Sequence, residues 1–207
     1  MVINTTKKQS KENLSLKEKI LKLLIENKNP ETILQIAEKL KADYKNTFQA
    51  VNKLYPDLIY KNKTGSINLI EIKLIPSPEI YSIEDKRTKQ FLHKNKRLCL
   101  IKKDIESLNY PFFIILAFGS VVKETNTEKS DIDICIISDN KLKTQELISK
   151  LKLLPLNIEI HDFLIKEFEL MLEKKENNLA NEIIKNNVIL YGVENYYNLA
   201  SKWMKKG

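Results

Sequence analysis

Two strand-like segments, which flank a polar stretch in the second half of the sequence, constrain the possible fold of this chain most. Residues 111–120 read PFFIILAFGS, a nearly uninterrupted apolar run that ends in Gly119-Ser120. Such a run, bounded by a glycine, is typical of a buried strand. Residues 130–137, SDIDICII, alternate instead and place Asp131 and Asp133 on one face with isoleucines on the other. The sequence therefore predicts a buried strand, a turn and a second strand with two carboxylates on one face.

A third acidic residue follows on a later alternating segment. Residues 156–163 read LNIEIHDF, with Glu159 and His161 on one face. If this segment lies beside residues 130–137, Glu159 faces the two aspartates, and Asp162 takes that place if the register differs by one residue. Three carboxylates form an oxygen site suited to Mg²⁺, and without a cation their mutual repulsion is unfavourable. We expect His161 to be a substrate or structural contact rather than a metal ligand.

The spacing of these residues resembles a known family. Gly119-Ser120 is followed after ten residues by Asp131-Ile132-Asp133, as in the nucleotidyltransferase superfamily related to DNA polymerase β, particularly its minimal nucleotidyltransferases. The resemblance covers about residues 95–195. It implies an α/β domain with a small mixed sheet. It also implies Mg²⁺-dependent transfer of a nucleoside monophosphate from a nucleoside triphosphate, ATP being the expected one, to a hydroxyl on a protein or nucleic acid.

The resemblance also implies a role for each residue of the motif. The residues that would carry catalysis and hold two Mg²⁺ ions are Asp131, Asp133 and Glu159. Those that would bind the nucleotide are Gly119, Ser120 and Lys123. The chain departs from the family at Lys123-Glu124, where Arg-Gly is common. Glu124 places a negative charge near the expected triphosphate, which Lys123 offsets.

The charge of the chain is concentrated in its first half. The net charge is +8, and residues 1–75 alone contain 14 lysines and 8 acidic residues. Residues 110–207 contain 13 basic and 14 acidic residues. Such asymmetry favours a polyanionic partner for the first half. An AT-rich genome, whose codons favour Lys, Asn and Ile, would also enrich the chain in lysine.

The first half shows helical periodicity and then a hairpin pattern. Ser15 and Glu18 fit a capping box at the start of a helix that ends before Pro30. Pro30 and Glu31 are expected to open a second helix. Asp43 is expected to cap a third, with Tyr44, Phe48, Val51 and Leu54 on its apolar side. Residues 58–62 and 67–73 then read as two strands around a glycine-containing turn.

This order of elements resembles a winged helix-turn-helix domain, whose third helix enters the major groove of DNA. The residues that the resemblance places at DNA or RNA are Lys45, Asn46, Gln49, Asn52, Lys53, Lys61 and Lys63. Asn and Gln pair with adenine, and Lys meets phosphate or guanine. The same residues would also suit an ordinary solvated helix face, and many winged helices dock proteins instead of nucleic acid.

The expected organisation is α+β. It comprises a disordered tail (1–14), the winged helix-turn-helix (15–75), a connector and helix (76–94) and the nucleotidyltransferase domain (95–207). Residues from about 83 to 108 read as a helical stretch rich in lysine and arginine that could bridge the domains or lead into the second one. The globular composition excludes general disorder, and no apolar segment is long enough for a membrane helix. The polar start is unlike a signal peptide. We therefore expect a cytoplasmic protein without a membrane partner.

Two alternatives stay open. The first is a DNA-binding transcriptional regulator whose nucleotidyltransferase domain only senses nucleotide, which Lys123-Glu124 favours and the complete set of acidic residues disfavours. The second is an antitoxin-type nucleotidyltransferase that modifies a HEPN-family toxin, a role known for minimal nucleotidyltransferases. The sequence leaves open the acceptor, the preferred base, the DNA site and the oligomeric state.

Overall fold

A computed structural model describes residues 14–125, 127, 130–174 and 178–204, excluding the side chains of 202–204. The predicted tail lies outside these residues except for Leu14. The helices are α1 (Leu16–Asn27), α2 (Ile33–Leu40), α3 (Tyr44–Leu54), α4 (Pro78–Lys94), α5 (Leu98–Ser107), α6 (Lys141–Lys152), α7 (Ile165–Glu173), α8 (Leu179–Lys185) and α9 (Val193–Met204). The strands are β1 (Ile59–Thr64), β2 (Ile67–Ile72), β3 (Ile114–Phe118), β4 (Ile132–Ile137), β5 (Ile158–Phe163) and β6 (Asn187–Tyr191). None of the described helices has the length and apolar character needed to cross a membrane.

A four-stranded mixed sheet organises the second half, with the strand order β5-β4-β3-β6. Strand β3 is antiparallel to both β4 and β6, whereas β4 and β5 are parallel. A parallel pair needs a long crossover connection, and α6 provides it between β4 and β5. The expected α+β class with a small mixed sheet is confirmed.

The two faces of this sheet belong to different hydrophobic clusters. Ile115, Ala117 and Ile134 pack with apolar residues of α5 and α6. On the opposite face, Leu116 and Cys135 belong to a cluster that includes residues of α7, α8 and α9 and continues through α4 into α1 and α3. The N-terminal and C-terminal parts of the described chain therefore share one hydrophobic core.

The N-terminal part has the predicted order of three helices followed by an antiparallel hairpin. Ser15 and Glu18 form the predicted capping box of α1. Asp43 caps α3 as predicted, because its side chain accepts a hydrogen bond from the Asn46 N–H. The assignment of these elements to a winged helix-turn-helix stays a prediction.

The predicted start of α2 is wrong. Thr32, rather than Pro30, precedes the helix and caps it reciprocally with Gln35. Glu31 lies before the helix, in an isolated β-bridge with Ile70 of β2. Its buried carboxylate accepts a hydrogen bond from Lys39 Nζ at 2.6 Å. Pairing with the hairpin therefore draws Glu31 into an extended conformation, which the local Pro-Glu pattern does not reveal.

The predicted apolar side of α3 is wrong at two of its four positions. Val51 and Leu54 are buried, but the side chains of Tyr44 and Phe48 are 51% and 44% exposed. Thr47 is buried in their place, and its hydroxyl donates to the Asp43 carbonyl at 2.8 Å. This internal hydrogen bond satisfies the hydroxyl, so the helix can turn Thr47 inward and leave two aromatic rings on the surface.

The helical stretch expected over about 83–108 consists of two helices, α4 and α5, separated by residues 95–97. Asn95 ends α4, with its N–H donating to the Phe91 carbonyl at 2.9 Å. Helix α4 contacts α1, β6 and α9, so it lies between the N-terminal helices and the sheet. The domain boundaries expected on either side of it stay predictions.

A buried polar network accompanies α4 across this junction. The Tyr197 hydroxyl of α9 donates to Glu84 Oε1 at 2.7 Å, and Arg87 pairs with the same carboxylate. Arg87 also donates to the carbonyl of Asn187 in β6 at 3.2 Å. The Asn187 side-chain amide donates to the Tyr196 hydroxyl at 2.9 Å. Burial raises the pKa of the Tyr197 hydroxyl, which stays protonated and available as a donor.

Candidate active site

The antiparallel register of β3 and β4 brings the glycine turn next to the first acidic strand. Phe118, the last residue of β3, lies opposite Asp133. The chain then forms a single 3₁₀ turn over Gly119–Val121. The Ser120 backbone N–H lies close enough to the Asp133 carboxylate to lower its pKa. The turn and the carboxylate therefore meet at one end of the two central strands.

The parallel register of β4 and β5 adds the third acidic residue. Glu159 lies opposite Asp133, and His161 lies opposite Cys135. Paired residues point to the same face of a sheet, so Asp133, Glu159 and His161 share a face. Asp162, the alternative that the sequence allowed, lies opposite Ile136 and so belongs to the other face.

Three side chains converge at this point. One ligand atom from each of Asp133, Glu159 and His161 lies within 4.8 Å of the other two. His161 Nε2 is 3.2 Å from Glu159 Oε1. Asp131 is exposed and immediately precedes β4, outside this group. The structure thus brings two of the three predicted acidic residues together and leaves the third beside them.

Gly119 is a position where any other residue would be strained and would displace the Asp133 side chain. Its φ of +69° lies in the left-handed region. A Cβ atom there would lie 1.9 Å from Asp133 Oδ2. The Asp133 carboxylate therefore occupies the space that any larger residue at position 119 would need.

The electrostatics of Asp133 fit a cation site. Partial burial raises the pKa of its carboxyl, and the nearby carboxylates of Glu159 and Asp131 raise it further. His161 and the Ser120 N–H act in the opposite direction without cancelling this shift. The ionised form of Asp133 is thus disfavoured, and a bound divalent cation would relieve the repulsion. Oxygen donors of this kind suit hard divalent cations.

Residues 123 and 124, which depart from the family pattern, are engaged in ion pairs. Lys123 Nζ lies 2.7 Å from a carboxylate oxygen of Glu182 in α8. Lys94, at the end of α4, lies 2.7 Å from a carboxylate oxygen of Glu124 and lowers the pKa of that exposed carboxyl. The negative charge of Glu124 is therefore partly compensated by Lys94 as well as by its neighbour in sequence.

The predicted nucleic-acid residues lie on the surface of α3 and on the hairpin. Those that are exposed are Lys45, Asn46, Gln49, Asn52, Lys53 and Lys63, while Lys61 is half-buried. Lys61 donates a hydrogen bond to the Asn52 side chain, and its Nζ lies 4.7 Å from the centre of the Tyr55 ring. The hairpin lysine is thus tied to α3 rather than extended away from it.

A recess of about 680 Å³ lies elsewhere, at the other end of β4. Its lining includes Tyr110, Asn140 and Leu142. None of the converging residues lines this recess, so it is separate from the candidate site.

The comparison with known families agrees with this geometry. Residues 100–195 match the family described as Polymerase beta, Nucleotidyltransferase. This nucleotidyltransferase match supports the superfamily suggested by the sequence motif and indicates a nucleotidyl transfer activity. It includes all four strands of the sheet and every converging residue. No curated protein matches the chain in a sequence search.

The role expected for His161, a substrate or structural contact, stays a prediction, but the structure places its imidazole with Asp133 and Glu159. The alternation of residues 156–163 placed it on the same face as Glu159, which was the available signal. The distance between the imidazole and Asp133 could not be predicted from the sequence, because it depends on the parallel register of β4 and β5.

Proposed function

We propose that this chain is a metal-dependent nucleotidyltransferase that uses a nucleoside triphosphate, with ATP as the proposed donor. It transfers the nucleoside monophosphate to a hydroxyl of a protein or nucleic acid acceptor and releases pyrophosphate. One observation carries this proposal. Gly119-Ser120, Asp133 and Glu159 lie together at one end of strands β3, β4 and β5, within the residues that match the nucleotidyltransferase family.

The acidic residues are proposed to hold divalent cations, two Mg²⁺ ions in the simplest case. The ligands are Asp131, Asp133 and Glu159, whose oxygen donors and mutual repulsion fit that role. When bound, the ions would lower the pKa of the attacking hydroxyl and offset charge on the phosphoryl oxygens.

The turn after β3 is proposed to receive the triphosphate. Gly119 is proposed to offer its backbone to phosphate oxygens, while the space that a side chain would fill is taken by the Asp133 carboxylate. Ser120, whose backbone N–H lowers the pKa of Asp133, is proposed to bind phosphate oxygens through its N–H and hydroxyl. Lys123 is a phosphate contact that would exchange its ion pair with Glu182 for the nucleotide.

A labelling experiment tests the transfer. The protein is incubated with ATP, GTP, CTP or UTP labelled on the α-phosphate, in a lysate of its host, with Mg²⁺ or Mn²⁺. We expect a labelled protein or RNA with the wild type. We expect none with Asp131→Asn combined with Asp133→Asn, because the cation ligands are lost.

Asp162→Asn is the matched control, since this carboxylate lies on β5 but on the other face. It should label like the wild type. Equal labelling by the double variant would contradict the proposal. Metal-dependent nucleotide binding without any label would favour the nucleotide-sensing regulator instead.

We further propose that residues 15–75 form a winged helix-turn-helix domain that binds nucleic acid and targets or regulates the enzyme. Support comes from the exposed lysines and amides of α3 and from the positive charge of this half. Tyr44 and Phe48 add exposed rings to the same helix, and aromatic rings stack on unpaired bases.

Fluorescence anisotropy with duplex DNA and single-stranded RNA over a range of salt concentrations tests this second proposal. Lys45→Ala combined with Lys53→Ala should weaken binding and reduce the slope of log affinity against log salt by about 2. The control, Lys141→Ala combined with Lys166→Ala, makes the same change of charge in the second half of the chain. Binding that is equally sensitive to both pairs would reflect net charge alone and would contradict a specific α3 surface.

A further inference from the structure

The imidazole of His161 is held beside the carboxylates by the strand on which it lies. In β5 it follows Glu159 by two residues and therefore points to the same face. The ring packs edge-on against Phe118 of β3, with 5.5 Å between ring centres. Its side chain is 27% exposed, so the ring is largely enclosed, and its Nε2 lies 3.2 Å from Glu159 Oε1.

The donor atoms around this point are mixed in kind. Asp133 and Glu159 contribute oxygen and His161 contributes nitrogen, and the three donor atoms lie within 4.8 Å of one another. Imidazole nitrogen suits the later first-row transition cations best. Mn²⁺ also takes carboxylate ligands but accepts a nitrogen ligand more readily than Mg²⁺, which prefers oxygen ligands in a near-ideal octahedron. A site built from these three residues would therefore bind a transition cation more tightly than a site of carboxylates alone.

From this arrangement we propose that His161 Nε2 is a ligand of a divalent transition cation held together with Asp133 and Glu159. The site would then favour Mn²⁺ over Mg²⁺. The proposal rests on the cation site of the proposed function but makes a separate claim, namely that nitrogen enters the coordination shell. In the free protein, His161 Nε2 lies 3.2 Å from Glu159 Oε1, and cation binding would exchange that contact for the metal.

The competing role for His161 is to position Glu159 through that contact. A positioning residue would support Mg²⁺ and Mn²⁺ equally, because its effect acts through a shared oxygen ligand. A nitrogen ligand would instead affect mainly Mn²⁺ and would couple magnetically to it. The two roles therefore differ in measurements that do not depend on enzyme activity.

The test measures the binding of Mn²⁺ and Mg²⁺ to the full chain without nucleotide, by calorimetry and by pulsed electron paramagnetic resonance of bound Mn²⁺. We expect nitrogen modulation from one imidazole in the wild type. His161→Gln should abolish it, lower the Mn²⁺ affinity by at least about tenfold and change the Mg²⁺ affinity much less.

His93→Gln is the matched control, because the chain has only two histidines and His93 is exposed at the end of α4. It should retain both the modulation and the affinity. His161→Asn is a second variant for the case in which His161→Gln does not fold, as judged by circular dichroism. An absent nitrogen signal in the wild type, or equal losses for the two cations, would overturn the proposal.

The outcome is separable from that of the transfer assay. Labelling of an acceptor with no nitrogen coupling would keep the proposed function and reject the role of His161. Nitrogen coupling without any labelling would keep the metal ligand and reject the transferase.

Discussion

At the level of single residues, the position of the Asp133 carboxylate depends on the absence of a side chain at Gly119. Gly119 has a φ of +69°, and its α-carbon faces the Asp133 carboxylate so closely that a Cβ would lie 1.9 Å from Oδ2. Gly65, in the turn of the β1–β2 hairpin, has a similar φ of +62° but no atom within 4 Å of an added Cβ. Substitution of Gly65 would therefore cause backbone strain alone, whereas substitution of Gly119 would cause backbone strain and a collision with Asp133.

We expect Gly65→Ala to lower the free energy of unfolding by about 1–2 kcal/mol, the usual strain of a left-handed alanine, and to leave cation binding unchanged. Gly119→Ala should impose the same strain and also displace the Asp133 carboxylate, because the added Cβ would lie 1.9 Å from Oδ2. Its Mg²⁺ and Mn²⁺ affinities should therefore fall. Urea unfolding and calorimetry measure the two effects, and Gly119→Ala with wild-type cation affinity would refute this account.

At the level of elements, Glu18 connects two helices. Its carboxylate completes the capping box of α1 with Ser15 and also accepts a hydrogen bond from Lys86 of α4 at 2.6 Å. The hydrogen bond from Lys86, followed by those from Ser15, lowers the pKa of Glu18 to about 2. The folded state therefore favours the ionised carboxylate.

This carboxylate should make stability depend on pH in a defined window. Its pKa is lower in the folded chain than in the unfolded chain, so its contribution is complete above about pH 4.5 and is lost as the pH falls toward about 2. We expect Glu18→Gln to lower the free energy of unfolding by about 1 kcal/mol at pH 7. The difference from the wild type should shrink below pH 4.5.

The exposed Glu38 on α2 provides the control. Glu38→Gln should leave the free energy of unfolding within about 0.5 kcal/mol of the wild type at every pH. Urea titrations from neutral to acid pH measure both variants. A Glu18→Gln difference that persists undiminished in acid would show that the carboxylate charge is not its cause.

Most elements could be predicted from the sequence because their signals are local. The capping residues Ser15 and Asp43, and the alternation that gives β4 and β5, depend on neighbours a few positions away. The errors arose where distant segments decide the outcome. Glu31 is held by the hairpin rather than by α2, and Thr47 rather than Phe48 faces the core that α1 supplies.

The candidate site shows the same division. Gly119, Ser120 and Asp133 could be predicted from their spacing along the chain. The choice between Glu159 and Asp162 could not, because it depends on how β5 pairs with β4. The nearness of His161 to both carboxylates depends on the same pairing.

At the level of the whole molecule, the junction around α4 combines apolar packing with buried polar groups. Glu84 is 1% exposed and is held by Arg87 and Tyr197. Asn187 donates to Tyr196 and also to the carbonyls of two residues in α8. The two tyrosines are adjacent in α9, yet the Tyr197 hydroxyl donates to a carboxylate and the Tyr196 hydroxyl accepts from a neutral amide.

This difference predicts unequal effects of removing each hydroxyl. Tyr197→Phe leaves a buried carboxylate short of one donor and should lower the free energy of unfolding by about 1–3 kcal/mol. Tyr196→Phe leaves Asn187 with its two carbonyl acceptors and should lower it by about 0.5–1.5 kcal/mol. Urea unfolding at pH 7 measures both. A larger loss of stability for Tyr196→Phe than for Tyr197→Phe would contradict this account and would indicate that Arg87 alone provides the hydrogen bonds that Glu84 needs.

The shared core has a consequence for how this protein can be divided. Residues 100–195 carry the family match, but Ile80, Ile83, Tyr196, Tyr197 and Leu199, which complete the core on one face of the sheet, lie outside them. A fragment cut at those limits would leave apolar strands uncovered and would be prone to aggregate. Anyone grafting this four-stranded region onto another protein would have to transplant α4 and α9 with it.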